Sequence, residues 1–290
     1  MKDYIISTDT TCDLPEKYLT ENQINLLSLS YTIENETYDR NRELPEKDFY
    51  AKMRKGSLPT TSQVNPESAK KMFEFLIETK DSHIIHIAFS TGLSGTCDST
   101  KIAAEELAKQ YPDNKIIVID SLCASLGEGL LVHKALQNKR NGMTFEENVD
   151  WLEKNKLHIV HNFTVDDLNH LHRGGRVSKT AAVFGTMINI KPVLHVNDTG
   201  HLIPLDKVRG RKKSLNALVD NMEKQIGSYK DKNDVIFISH GDCIEDAEYV
   251  KELIQQRLGF KDFLIHYVGP TIGAHSGAGT VALFYMGEYR

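Results

Sequence analysis

Hydroxyl, imidazole and guanidinium side chains gather in a few short segments of this sequence, and each segment points to holding an anion or to acyl chemistry. Thr60-Thr61-Ser62-Gln63 sets three adjacent hydroxyls and an amide just ahead of a helix start near Asn65-Pro66. Such a cluster either caps the helix by satisfying its free N–H groups or offers donors to a ligand. Gly92-Leu93-Ser94-Gly95-Thr96 follows an apolar run and opens a helical stretch, so Ser94 stands where amide donors and the helix dipole favour an anion. Ser94 is also a candidate nucleophile, with His275 as its base. Its spacing is G-x-S-G rather than the G-x-S-x-G elbow, and a hydrolase needs an orienting acid besides. His275 lies in a stretch with glycines at 269, 273, 277 and 279, which permits close backbone approach. A histidine there serves either structure or a site. Arg173 and Arg176 flank Gly174-Gly175, and Lys207 to Lys213 contains Lys207, Arg209, Arg211, Lys212 and Lys213. These cations form either a solvated face or a patch for a phosphate or an acidic partner protein.

The elements that must position these groups alternate in type. Tyr4 to Thr8 reads as a short strand running into the polar loop Asp9 to Pro15, and Ile24 to Ile33 reads as a second strand. Pro66 to Thr79 has helical spacing. His83 to Phe89 and Ile116 to Asp120 are continuous apolar strands, followed by helices over Cys97 to Gln110 and Leu122 to Asn138. Repeated strand–loop–helix units with apolar strands predict a parallel sheet covered on both faces. Ligands of such sheets sit beyond the carboxyl ends of the strands, where the loops after 8, 89 and 120 all fall. Phe145 to Leu157 reads as a closing helix. The second half offers strands at 158–163, 192–196, 202–207, 234–240 and 263–268. Its helices are expected at 165–172, 178–189, 213–229 and 244–258. Asn197-Asp198-Thr199-Gly200 reads as a hairpin turn, so some pairing there is antiparallel. The fold class is therefore α/β in two domains, 1–157 with a Rossmann-like parallel sheet and 158–290 with a mixed sheet.

Composition narrows the function classes. With 290 residues, 40% hydrophobic and 26% charged, the chain has the make-up of a soluble protein with a substantial core. A net charge of −5 gives no general attraction to nucleic acid or anionic membranes. No run approaches the ~18 apolar residues of a spanning helix, and the N-terminal apolar run is too short for a signal peptide. The four cysteines, at 12, 97, 123 and 243, form no CxxC pair. Free thiols in a cytoplasmic protein fit better than a metal or redox site. The phosphate loop G-x-x-x-x-G-K-[ST] is absent.

Taken together, Ser7 to Pro15, Pro59 to Gln63, Ser90 to Thr96, Val165 to Leu168, Arg173 to Ser178, Ile190 to Leu194 and Gly269 to His275 resemble the DegV family of bacterial fatty-acid-binding proteins. The likeness spans the chain, with small departures at Thr10, Ser276 and Ala278. The resemblance implies a DegV-like fold with one long-chain fatty acid, of the palmitate or oleate kind, in a tunnel between the domains. It implies carboxylate contacts from Thr61 and Ser94, with His275 close by and Ser62 and Gly95 in support. It further implies a non-catalytic carrier, without cofactor or metal, that presents the carboxylate to a separate fatty acid kinase for phospholipid synthesis. Arg173, Arg176, Arg209 and Arg211 are the candidate docking residues. A serine-dependent acyl hydrolase using Ser94 and His275 is the alternative.

Overall fold

The computed structural model describes residues 2–178 and 189–290. Its first half is built on β1 (Tyr4–Asp9), β2 (Asn25–Leu27), β6 (His83–Ala88) and β7 (Ile116–Asp120), and β3 (Ser30–Ile33), β4 (Glu36–Tyr38) and β5 (Thr60–Ser62) lie between β2 and β6 in the chain. These four make a sheet in the order β2-β1-β6-β7, and every pairing is parallel. Branched and apolar residues dominate these strands, as burial on both faces requires. One face is covered by α3 (Pro66–Lys80) and α4 (Thr96–Gln110), through Phe73, Leu76, Ala103 and Leu107 against Ile84. Asn65 caps α3 by accepting from the Ser68 amide, with Pro66 at the first helical position, so the start read from the sequence is the one observed.

The second half has β8 (Ile159–Thr164), β9 (Ile190–Val196), β10 (Leu202–Arg209), β11 (Ile236–His240), β12 (Phe263–Tyr267) and β13 (Val281–Met286). They form a mixed sheet in the order β10-β9-β8-β13-β11-β12, in which only β11 and β12 run parallel. Its outer face packs on the helices 211–225 and 244–258 through Leu218, Val219, Met222, Val250 and Ile254.

Helix α5 (Leu126–Arg140) lies between the two sheets. Leu126, Leu130, Leu131, Val132 and Ala135 are all fully buried, and a helix apolar on all sides belongs in an interior. One core accordingly runs from Ile6, Ile85 and Ile119 through α5 to Phe163, Phe237 and Phe284. Helix α6 (Phe145–Asn155) follows, closed by a capping box in which Thr144 and Glu147 bond each other's backbone amides.

Several expectations shift. The strand expected over 24–33 divides into β2 and β3 (Ser30–Ile33) because its halves find different partners: β3 joins β4 (Glu36–Tyr38) and β5 (Thr60–Ser62) in a small antiparallel sheet. Thr60 to Ser62, a capping loop by its hydroxyls, is thus a strand held by pairing of Thr61 with Tyr31. The helix expected from Leu122 begins at Leu126, since Leu122 and Ser125 take positive φ angles of 51° and 54°. Helices at 16–21 and 46–54 and strand β13 were not anticipated. The helix expected over 178–189 falls almost wholly outside the described residues.

Candidate functional site

A cavity of about 440 Å³ opens between the two sheets, lined from both halves of the chain. From the first half come Phe89, Leu93 and Ser94 after β6 and Ala124 and Ser125 after β7, which puts it beyond the strands' carboxyl ends. From the second come Phe163, Val196, Leu202, Ala282 and Phe284. The walls are mostly apolar. The polar groups gather from separate elements: Thr61 and Gln63 at β5, Ser94 and Gly95 ahead of α4, Arg176, and His275.

His275 belongs to a helical turn at 270–276 that opens with Pro270, so the glycine-rich stretch is helix where a loop was read. Its Nε2 lies 2.8 Å from Thr61 Oγ1. Burial, reinforced by the Arg176 and Arg173 charges, pushes its pKa down to about 4. The ring is therefore neutral at pH 7; as the Nε2–H tautomer it donates to Thr61 and leaves that hydroxyl's own proton free, and as the Nδ1–H tautomer it accepts from Thr61. Gly174, at the end of α7 (Leu168–Arg173), makes room for the ring, because a Cβ there would collide with His275 Nδ1. Ser94 Oγ accepts from the Thr96 amide at 3.2 Å and pairs with Thr96 Oγ1 at 3.0 Å. It is half-buried on the cavity wall.

The structure thus brings Thr61, Ser94, Gly95 and His275 to one cavity. Ser62 points away, since successive strand residues face opposite sides; it is exposed and absent from the lining. Gln63 takes its place, seated where a Cβ on Gly95 would strike its amide at 2.5 Å. Arg176 lines the cavity, with Nε and Nη2 donating to the Leu93 carbonyl at 3.2 and 3.1 Å and Nη1 to the Gly174 carbonyl. Arg173 is exposed, 2.8 Å from His170 Nδ1. Arg209 is exposed at the end of β10, whereas Arg211 turns inward and donates to Asp246 at 2.8 Å and to the Gly279 carbonyl at 2.6 Å. Among the described residues no hydrogen bond joins Ser94 to His275, so a hydrolase pair lacks its first contact.

Sequence reading missed the inner wall. His161 is buried and held neutral by that burial, its Nε2 accepting from the Ala124 amide at 3.2 Å. Ser125 Oγ bonds Asp13 Oδ2 and lies 3.0 Å from Ser239 Oγ. Burial pushes the Asp13 carboxyl up to about 8, against the hydrogen bonds from Ser125 and the Gly269 amide. Strand alternation points Ser239 inward, but no sequence signal ties it to Asp13 and Ser125. Among the described residues no His, Cys, Asp and Glu grouping could hold a metal ion, and no helix is long and apolar enough to cross a membrane.

Comparison with known proteins places this geometry in a family. The family model described as "Uncharacterised protein, DegV family" matches residues 4–288. A DegV domain-containing protein of Clostridium perfringens is 46% identical over 292 residues, covering 100% of this chain and 99% of its own length. One from Lactococcus lactis is 36% identical over 281 residues, 96% of each chain. Among solved structures, a DegV family protein from Thermus thermophilus, described by its fatty acid binding, superposes with a TM-score of 0.87 at 26% identity, covering 99% of this chain and 100% of that one. DegV of Bacillus subtilis, described as a fatty acid binding protein, gives 0.85 at 28% identity, again over 99% and 100%.

Proposed function

This chain belongs to the DegV family, and we propose on that premise that it binds one long-chain fatty acid in the cavity between its sheets. Thr61 and Ser94 hold the carboxylate in this reading. The observation that carries it is the cavity itself: largely apolar walls from both sheets, with Thr61, Ser94 and His275 among its polar groups. Each buried CH₂ contributes about 0.8 kcal/mol, so an acyl tail supplies ample affinity. The carboxylate must still be hydrogen-bonded, or its desolvation would cancel much of that gain. With His275 in its Nε2–H tautomer the ring donates to Thr61 across their 2.8 Å contact, which frees the threonine proton for the carboxylate, and Arg176 sets a positive charge on the same wall.

The protein acts here as a cytoplasmic carrier rather than an enzyme. It presents the carboxylate to a separate fatty acid kinase, which forms the acyl phosphate for phospholipid synthesis. The tunnel lies between domains 1–157 and 158–290, and no cofactor is required. Docking falls to Arg173 and Arg209, the exposed members of the arginine set, since Arg176 and Arg211 are tied to the fold. Lipid extraction of the purified protein is expected to release a fatty acid. Thr61→Ala combined with Ser94→Ala weakens palmitate binding by roughly a hundred- to ten-thousandfold, from two hydrogen bonds to a charged group of about 1.5–3 kcal/mol each, and leaves the unfolding temperature within a few degrees. Unchanged affinity in the double variant removes the proposed grip. Reversing Arg173 and Arg209 to glutamate slows phosphorylation at unaltered lipid affinity; normal kinetics exclude them from docking.

A further inference from the structure

We propose that the segment Asp9 to Asp13, none of whose residues lines the ligand cavity, positions the three elements that carry the carboxylate grip, through its contacts to the backbone at Phe89, Leu29 and Gly269. The inference rests on the fatty-acid reading. It makes Asp9, Thr10 and Asp13 positioning residues for Ser94, Thr61 and His275.

The segment leaves the end of β1 at Asp9, makes one tight turn over Thr10–Cys12 and ends on Asp13 at φ 51°. Its polar side chains reach different neighbours. Asp9 Oδ1 caps the turn by accepting from the Thr11 amide at 2.9 Å, and Oδ2 accepts from the Phe89 amide at 2.9 Å. Thr10 Oγ1 accepts from the Leu29 amide at 3.1 Å. Asp13 takes the Gly269 amide, so closely that a Cβ on Gly269 would strike its Oδ1 at 2.5 Å. Below, the segment is fixed to α5. Thr8 Oγ1 and Thr11 Oγ1 lie 2.7 and 2.9 Å from the two Glu128 oxygens, and Ser125 Oγ donates to Asp13. Thr8, Asp9, Thr11 and Glu128 are 0% exposed, so water does not replace a lost partner and the network holds rigidly.

Each of the three amides stands at the root of one arm of the grip. Phe89 precedes Ser90, whose carbonyl accepts from the Ser94 amide at 3.1 Å. Leu29 leads into β3, where Tyr31 pairs with Thr61 on β5. Gly269 opens the turn 270–276 that carries His275, and its carbonyl accepts from the Gly273 amide at 2.8 Å. A grip drawn from three distant segments holds one carboxylate only if their relative placement is fixed beforehand, since donors already ordered lose less freedom on binding. That role accounts for the hydroxyls and carboxylates of Ser7 to Pro15, which the cavity itself does not use.

Titration calorimetry on delipidated protein tests this by comparing palmitate with 1-hexadecanol, which keeps the chain and lacks the charge. Both Asp9 oxygens face backbone N–H donors, so Asp9→Asn must turn an amide nitrogen against one of them. It is expected to weaken palmitate about tenfold and hexadecanol less than twofold, the size of one hydrogen bond to a charged group. Thr10→Val removes only the acceptor for Leu29 and weakens palmitate by about three- to tenfold, and Thr10→Ser restores wild-type affinity. Equal losses for both ligands would show that the segment serves the fold alone. Wild-type affinities in Asp9→Asn and Thr10→Val would show that it positions nothing. Should Asp9→Asn fail to fold, the two Thr10 variants decide alone. Wild-type protein that holds the alcohol as tightly as palmitate overturns the carboxylate grip, and absence of palmitate binding overturns the fatty-acid reading itself; this inference falls with either.

Discussion

Asp13, behind the cavity wall, and His275, on it, are both held neutral near pH 7, though burial drives them in opposite directions. For His275 the cost of burying a cation, with two arginines nearby, lowers the pKa to about 4, so its hydrogen bond to Thr61 persists across neutral pH. For Asp13 the cost of burying an anion raises the pKa from 3.8 to about 8. Between those values the folded protein holds a proton that the unfolded chain has released. Stability from this group is thus full below about pH 4 and is lost as pH rises through about 8. Asp13→Asn removes this contribution. Denaturant melts from pH 5 to 9 are expected to show a flatter decline in the variant than in wild type, and parallel curves would refute the assignment. The sequence marked Thr61, Ser94 and His275 because hydroxyls and imidazole announce themselves by type. Asp13, Ser125 and Ser239 were invisible as a set, since their contacts span more than 110 positions.

At the scale of elements, short segments do the positioning. The antiparallel sheet β4-β3-β5 supplies Thr61, and the turn after α7 supplies Gly174. A side chain at 174 would meet His275 Nδ1, so Gly174→Ala displaces the imidazole from Thr61. The expected result is a fatty-acid affinity loss of roughly tenfold, about 1.4 kcal/mol, with a smaller loss of fold stability, read by calorimetry and thermal melting. A variant with wild-type affinity would show that the ring's placement is immaterial. Long apolar elements were legible: 116–120 and 244–258 are observed where their patterns placed them. The segments missed were short, like β4, or concealed by neighbours. Val281 to Met286 is apolar throughout but adjoins the glycine stretch, yet it lies between β8 and β11 inside the mixed sheet.

The whole molecule is unified by α5, whose residues contribute to one core shared by both sheets. Leu131, fully buried at its centre, has no solvent-facing alternative, and Leu131→Ala is expected to cost about 2–5 kcal/mol. Because the helix supports both sheets, calorimetry should record that loss as one shifted transition; two separate transitions would show the sheets to be independent units. The C-terminal Arg290 adds cross-links, donating to the Leu122 carbonyl at 2.8 Å and the Lys156 carbonyl at 2.7 Å. The sequence by itself determined the alternation of strands and helices, the parallel first sheet, the partly antiparallel second one and the segments whose Thr61 and Ser94 hydroxyls line the cavity. Periodicity, turn chemistry and residue type are local properties, and those features depend on them. Only the tertiary structure decided that His275 bonds Thr61 rather than Ser94, that Arg211 turns inward, and that Asp13, Ser125 and Ser239 meet behind the cavity. Each of those outcomes depends on which distant side chain fills the space left by another, and packing at that range leaves no periodic trace in the chain.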